Sequence, residues 1–299
     1  MQAMLLAAGL GTRLRPYTNI LPKPLFPVLN RPLLHLLIDM LHRAGCSKIV
    51  VNGHYLSRML EQSVSSLPDV EFQEEQVILG TGGGIRRALS RFSREPILVM
   101  NGDIFHDIDP ARLYQHHIDS KNSITMAMHD YPRFNSVTVD NDRIVSFQDA
   151  GKVPDRTLLA FTGIHVVDPE VINLIPADRP HHIIDLYESL ARQGMKIGFV
   201  RVDDSYWRDI GTPDDYLQLH GELLTGCRAK NVSLPGAAGH WLIDSRAKVA
   251  DDAVLTGWGC IGRAEIGRGA ALHNCVIWND AVVADGSRRN NRIIAGRGD

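Results

Sequence analysis

The chain has few cysteines, no long apolar run and no surplus of charge of either sign, and each shortage closes off a class of protein. Cys46, Cys227, Cys260 and Cys275 are the only cysteines among 299 residues, and no two stand in a CxxC spacing. They read as free thiols in a reducing compartment, not as a disulfide framework or a zinc site. No segment approaches the ~20 consecutive apolar residues of a membrane span. The N-terminal apolar run, residues 3–8, is too short for the core of a signal peptide. A cytoplasmic protein is expected. Lys and Arg number 32 against 34 Asp and Glu, a formal charge of −2, with no block of like charge. Neither nucleic acid nor an anionic membrane is therefore an expected partner, and any phosphate must be held by a local site. With 44% hydrophobic residues the chain can bury a sizeable core, enough for one large and one small domain or two medium ones.

Strand-like and helix-like segments alternate through the first 200 residues. "AMLLAA" reads as a buried strand. "RPLLHLLIDMLHRAG" reads as a helix, with Pro32 near its start, Leu33, Leu37, Met40, Leu41 and Ala44 on one face, and Gly45 as its stop. The strand "KIVV", the helix "YLSRMLEQSVSSL", the helix "GGGIRRALSRF", the strand "ILVMNGD", the helix "PARLYQHHIDS" and the strand "SITMAM" follow. Such alternation predicts an α/β fold with a mainly parallel sheet covered on both faces, whose ligands sit at the carboxyl ends of the strands. The turn after Ala8 and Asp103 after "ILVMNG" both fall at such ends. Further on, "TPDD" at residues 212–215 looks like a helix start, with Thr212 as cap, Pro213 at the first position and Asp215 at the third.

Beyond about residue 226 the texture changes. Ile243, Val249, Leu255 and Ile261 recur every six residues, then Ile266 and Leu272, then Ile277 and Val283, with small or polar residues between. A six-residue apolar repeat with glycines suggests a short β-helix of three or so coils, and ordinary antiparallel strands are the alternative.

The stretch "AMLLAAGLGTRLRPYTNILPKPLFPV", residues 3–28, poses the functional question. It lacks the Gly-Lys-Ser/Thr of a Walker A loop. It also lacks a dinucleotide fingerprint, because Leu14 stands where the third glycine belongs and Pro16 interrupts the helix. What remains is a loop whose backbone N–H groups wrap phosphates, with Arg13 and Lys23 supplying charge and the prolines holding it extended. Arg15 reads as a surface or structural charge.

"GLGTRLRPYTNILPKPLFPV" resembles the motif G-x-G-T-R-[LM]-x-P-x-T-x-x-x-P-K-[PQ]-[LM] of the sugar-1-phosphate nucleotidyltransferases. "ILGTGGGIRRAL" resembles the family's base-binding turn, "MNGDIF" its metal-binding aspartate, "FTGIHVVDPEVI" its sugar-site strand and "YWRDIGTPDDYL" its second metal aspartate. The resemblance covers residues 1 to about 222, and the tail is similar to tails on mannose-1-phosphate guanylyltransferases. It implies a Rossmann-like catalytic domain over 1–226, built on a doubly wound, mixed but mainly parallel sheet, and a short left-handed β-helix over 227–299. The implied reaction is NTP + sugar-1-phosphate → NDP-sugar + pyrophosphate with Mg²⁺ as cofactor.

The resemblance also implies roles. Asp103 and Asp209 hold the metal, Arg13 clamps the outer phosphates, and Lys23 reaches the phosphates near the reacting centre. Ala8, Gly9, Gly11, Thr12, Glu75, Gly80 and Thr81 complete the nucleotide site, with Gln73 and Gln76 competing with Glu75 to read the base. Thr162 and Gly163 fall in the sugar site. Where many relatives carry Glu-Lys-Pro and Tyr-Gly, this chain offers Lys152 as a sugar-phosphate ligand and Phe134-Asn135; Asn135 bonds a sugar hydroxyl or makes a turn. These departures resemble the branch of mannose-1-phosphate guanylyltransferase-like and N-acetylmuramate-1-phosphate uridylyltransferase-like enzymes. GTP with mannose-1-phosphate, or a related hexose or heptose phosphate, is expected, with UTP and an amino-sugar phosphate as the alternative. A homo-oligomer through the tail is also expected. A non-catalytic subunit would lose Arg13, Lys23, Asp103 and Asp209, all of which are kept. An acyltransferase role for the tail has only His273 to support it. His116, His117, His181 and His182 read as surface histidines, not metal ligands.

Overall fold

The computed structural model describes residues 1–147, 156–226, 229–232, 234 and 240–296. The chain divides into two compact units. The first comprises Met1–Leu10 and Leu37–Trp207, the second Gly11–Leu36 and Arg208–Asp299. The stretch from Gly11 to Leu36 thus groups with the C-terminal third of the chain.

The first unit is built on one nine-stranded sheet. Its strands are β1 (Gln2–Leu6), β2 (Lys48–Gly53), β3 (Val70–Glu74), β4 (Ile97–Asn101), β5 (Ile124–His129), β6 (Val137–Asp140), β7 (Arg143–Ser146), β8 (Thr157–Val167) and β9 (Gly198–Arg201). They lie in the order β3-β2-β1-β4-β8-β5-β9-β7-β6, and β8 also pairs with β6. The helices longer than a single turn are α1 (Leu33–Arg43), α2 (Ser57–Val64), α3 (Gly80–Ala88), α4 (Pro110–Ser120), α5 (Ile183–Arg192) and α6 (Pro213–Thr225). The last of these belongs to the second unit, and α1 begins there.

The parallel run expected from the alternation is present as β3-β2-β1-β4, with Leu5 opposite both Val51 and Met100. The sheet is mixed, as the resemblance implies, but it is not mainly parallel. β8 runs antiparallel to β4, β5 and β6, and β7 runs antiparallel to β6 and β9. The reason lies in the connections. A helix crossover keeps neighbouring strands parallel, whereas β5, β6 and β7 follow one another with no helix between them. The core beneath the sheet joins Met4, Val50, Val99, Met126 and Val167 to Ile85, Ile183 and Tyr187 of the helices.

In the second unit the tail forms two parallel sheets. β10 (Trp241–Ile243), β12 (Val254–Ile261), β14 (Ala271–Ile277) and β16 (Arg288–Ile294) stack in one, and β11 (Lys248–Val249), β13 (Glu265–Ile266) and β15 (Val282–Val283) in the other. Ala271 lies opposite Val254 and Arg288 opposite Ala271, so each coil returns after 17 residues. Antiparallel strands are thereby ruled out. Ile261, Ile266, Leu272, Ile277 and Val283 fill the coil interior as the repeat predicts, while Ile243 is exposed at the first coil. α6 starts as expected: Thr212 Oγ1 accepts from Asp215 N at 3.1 Å, with Pro213 in the first turn.

Candidate active site

The glycine turn follows β1, whose short apolar stretch is sheathed on both sides by sheet. Ala7 N donates to Asn52 Oδ1 at 2.8 Å, and Asn52 Nδ2 donates to Glu75 Oε1 at 2.7 Å. Glu75 Oε2 accepts from Leu79 N at 3.2 Å. Glu75, expected to read the base, is therefore only 1% exposed, with both oxygens held by its own chain. A buried carboxylate is stable only when so bonded. Gln73 is sealed as well, donating to Gly84 O at 3.0 Å, whereas Gln76 is exposed.

The glycines of "LGTGGG" answer to a neighbouring segment of the chain. His181 O accepts from Gly82 N at 2.9 Å and from Gly83 N at 3.1 Å. Gly80 has φ +70, and a Cβ there would stand 2.8 Å from His181 O. Thr81 Oγ1 accepts from Ile183 N at 3.0 Å, so this hydroxyl, assigned to the nucleotide, caps the start of α5.

At the end of β4, Gly102 N donates to Leu6 O at 2.8 Å, and half-buried Asp103 follows. Gly163 sits where β8 slips its register against β5, at φ +83. A Cβ at Gly163 would lie 2.6 Å from Asn101 Nδ2, so this glycine makes room for the residue two before Asp103. Thr162 was expected to face the sugar. Its hydroxyl instead donates to Ala127 O at 2.8 Å and its carbonyl accepts from Trp207 Nε1 at 2.8 Å, because strand alternation turns the side chain into the core. Trp207 joins Tyr131 and Phe134, with ring centroids 5.3 and 5.5 Å away. Asn135 makes the turn: its Oδ1 accepts from Tyr131 N at 2.9 Å and its Nδ2 donates to Asp130 Oδ1 at 2.8 Å. Lys152 lies outside the described residues.

His117 is a further correction. It is buried, with Nδ1 3.0 Å from Thr125 Oγ1 and Nε2 3.2 Å from Asp168 Oδ1, and burial holds its pKa below the ordinary value. His116 and His182 are exposed and His181 is half-buried.

In the second unit, Gly11 takes φ +60 and its carbonyl accepts from Leu14 N and Thr18 Oγ1. A tight turn over Thr12–Leu14 buries Leu14 and leaves Thr12 and Arg13 outside. A second turn, Lys23–Leu25, is closed by Phe26 N donating to Lys23 O at 3.0 Å. It carries Lys23 inward until the residue is 5% exposed. Lys23 Nζ then stands 3.1 Å from Asp209 Oδ1, and Arg13 Nη2 stands 3.6 Å from Asp209 Oδ2. Three of the expected residues thus converge on one another. Pairing is what makes a buried ammonium tolerable. Gly211 permits the approach, since a Cβ there would be 2.8 Å from both Arg13 Nη2 and Asp209 Oδ2.

Among the described residues no group of three His, Cys, Asp or Glu could hold a metal unaided. The donors present still suit a hard divalent cation, which takes one or two carboxylates and completes its shell with substrate phosphate and water. Asp209 is 16% exposed, with an oxygen in reach of each of its two cations.

A family model described as "Nucleotidyl transferase" matches residues 2–226. The chain belongs to that family. Among its curated relatives this transferase is 32% identical to a mannose-1-phosphate guanylyltransferase of Mycobacterium tuberculosis, over 95% of this chain and 81% of that one. It is 28% identical to a D-glycero-alpha-D-manno-heptose 1-phosphate guanylyltransferase of Aneurinibacillus thermoaerophilus, over 75% and 98%. It is 30% identical to an N-acetylmuramate alpha-1-phosphate uridylyltransferase of Caulobacter vibrioides, over 74% and 96%. These relatives put the transferase among the sugar-1-phosphate nucleotidyltransferases. A solved Bacillus anthracis structure, assigned as a glucose-1-phosphate thymidylyltransferase, superposes with a TM-score of 0.66 at 19% identity, over 77% of this chain and 98% of that one. At that identity it speaks for the fold alone. No helix among the described residues is long and apolar enough to cross a membrane.

Sequence reasoning passed over Asn52, Asn101, Tyr131 and Trp207. Asn52 and Asn101 each stand at or next to the last residue of a parallel strand, which is the signal that could have found them.

Proposed function

We propose that this transferase moves a guanylyl group from GTP to mannose-1-phosphate or a related hexose or heptose 1-phosphate, working in the cytoplasm with Mg²⁺. One observation carries the substrate pair: the likeness to a mannose-1-phosphate guanylyltransferase runs through 95% of the chain, tail included. The left-handed coiling of that tail, the division of labour between 1–226 and 227–299, and assembly through the tail belong to the same reading.

The chemistry needs no protein nucleophile. An oxygen of the sugar phosphate attacks the α-phosphorus, the bond from that phosphorus to the α–β bridging oxygen breaks, and pyrophosphate leaves with the electron pair. The protein's work is positioning and charge neutralisation. Arg13, exposed on its turn, clamps the β- and γ-phosphates with a planar pair of donors. Lys23, held in place by burial, faces the phosphate nearest the reacting centre. Asp103 and Asp209 are the proposed metal ligands. A divalent cation bound by them would neutralise phosphate charge and favour the leaving group. The backbone around Ala8, Gly9, Gly11 and Thr12 supplies N–H donors to the phosphates, and Gly80 presents backbone to the base.

Pyrophosphate release in the presence of Mg²⁺, crossing GTP, UTP, dTTP, CTP and ATP with mannose-, glucose-, N-acetylglucosamine-, N-acetylmuramate- and heptose-1-phosphate, tests the reading. The GTP–mannose-1-phosphate or GTP–heptose-1-phosphate pair should dominate. A dominant UTP–N-acetylmuramate pair would overturn the substrate assignment, and silence from folded protein would overturn the activity. Asp103→Asn and Arg13→Ala should each remove most turnover without unfolding the chain.

A further inference from the structure

The second compact unit brings the tail against the loop that carries Arg13 and Lys23. Trp278 follows directly after β14, is 2% exposed, and has its backbone N–H bonded to Ile294 O at 2.8 Å in the next coil. Its ring packs edge-on against Phe26 with centroids 4.7 Å apart, and stands 6.0 Å from Tyr17. The indole Nε1 donates to Tyr216 Oη at 3.1 Å, and Tyr216 Oη donates in turn to the carbonyl of Pro27. One turn along α6, His220 Nε2 accepts from Leu29 N at 3.3 Å while its Nδ1 donates to Tyr216 O at 3.0 Å. Asn30 Nδ2 donates to Ile261 O, a coil residue, at 2.9 Å.

These contacts fall on a short hairpin that is strained at its tip. Leu29 and Asn30 both have positive φ, at 49° and 64°, joining the two-residue strands Pro27–Val28 and Arg31–Pro32. A leucine in that conformation is costly, and it persists where its surroundings over-determine it. Here they do, from α6 and from the coil. Phe26 is fully buried, and its N–H closes the turn that points Lys23 inward.

We propose that Trp278 is a positioning residue for the phosphate loop: the tail's coil, through Phe26 and the Tyr216 hydroxyl, fixes where Lys23 stands. The inference rests on the functional reading above. It makes the tail a part of the triphosphate site's framework, in addition to any role in assembly. The effect should appear on the triphosphate side of the reaction and not on the sugar side.

The test uses the full-length chain carrying Trp278→Ala, Trp278→Phe or Tyr216→Phe. Steady-state KM values are measured for both substrates, and GTP affinity, or that of whichever triphosphate the substrate panel selects, by calorimetry without turnover. Trp278→Ala should raise the triphosphate KM and dissociation constant about tenfold or more, on the scale of a small misplacement at a charged site. The sugar-1-phosphate KM should stay within about twofold of its starting value. Trp278→Phe should recover most of the loss, and Tyr216→Phe should raise the same constant by a smaller factor. Unchanged triphosphate constants in a folded Trp278→Ala protein overturn the proposal, as does an equal rise in both KM values. Should Trp278→Ala fail to fold, Tyr216→Phe decides by the same criterion. A parent chain that binds triphosphate without turnover counts against the functional reading only, since the calorimetric comparison still decides this one.

Discussion

Gly11→Ala is the sharpest test of why the loop bearing Arg13 and Lys23 has its shape. At φ +60 an alanine pays about 1–2 kcal/mol for the left-handed conformation. The new methyl would also stand 2.8 Å from Thr18 Cγ2, against about 3.5–4.0 Å for a relaxed carbon contact. Thr18 is 1% exposed and its hydroxyl bonds Gly11 O at 3.1 Å, so it cannot turn aside without breaking that bond, at about another 1 kcal/mol. The sum is about 2–4 kcal/mol, within the range of strain at a special backbone position. Thr18→Ser removes the offending Cγ2, keeps the bonding oxygen, and by itself loses about 1 kcal/mol of buried methyl. Urea denaturation of the two single variants and the double variant should therefore show coupling of about 1–2 kcal/mol, the serine rescuing part of the alanine's defect. Turnover of Gly11→Ala should fall at least about tenfold, because Arg13 lies two residues downstream and a displaced charge is felt strongly. Strict additivity between the two sites would refute the steric argument.

Three further outcomes follow from the side chains that proved internal. Thr162→Val should cost about 1–2 kcal/mol in stability by deleting the bond to Ala127 O, and leave the sugar-1-phosphate KM unchanged; a raised KM at full stability would return Thr162 to the sugar site. Glu75→Gln should lose about 2 kcal/mol, since its new NH₂ faces a donor at Asn52 or Leu79, while the nucleotide panel keeps its order. A switched base preference at unchanged stability would contradict the buried position. Burial holds His106 and His165 down to about 3 and His220 to about 4. Their unfolded forms take up protons below about pH 6.5 while the folded forms refuse them. Stability should therefore be whole above that pH and drain as it falls toward 4, by up to about 1.4 kcal/mol per pH unit for each histidine. Thermal melts from pH 7.5 to 4.5 would show it, and a Tm that stays level down to pH 4.5 would refute it.

The residues that turned out to converge were the ones with a local sequence reason to be there. Arg13, Lys23 and the glycine turn lie within one short stretch, and Asp209 sits in a strand-end "RDIGT". Arg13 and Lys23 stood out as charges on a proline-held loop beyond a strand, Asp209 was marked by the resemblance of its motif, and Thr212 and Pro213 opened their helix as read. What escaped was set by packing between distant segments. Nothing in "QEEQ" distinguishes a carboxylate facing a base from one sealed beneath Asn52. Nothing in "LGTGGG" reveals that its glycines yield to the backbone of His181, a hundred residues on. The antiparallel half of the sheet was hidden for a related reason, since β8 wedges between β4 and β5 from a position late in the chain. The coil repeat was legible because its period is written in every turn; the contact of Trp278 with Phe26 was not, because it occurs once.

The grouping of Gly11–Leu36 with Arg208–Asp299 has a consequence for how the molecule is made. A ribosome releases Phe26 long before Trp278, and at ~5–20 residues per second the interval is on the order of tens of seconds. During that wait the first unit's parallel strands can already pair, while the loop bearing Lys23 lacks the wall it will lean on. Contacts so far apart in sequence form late and slowly. The transferase is therefore assembled at the loop bearing Lys23 last, and a polypeptide released early would display the family's most recognisable stretch without the framework that gives it shape.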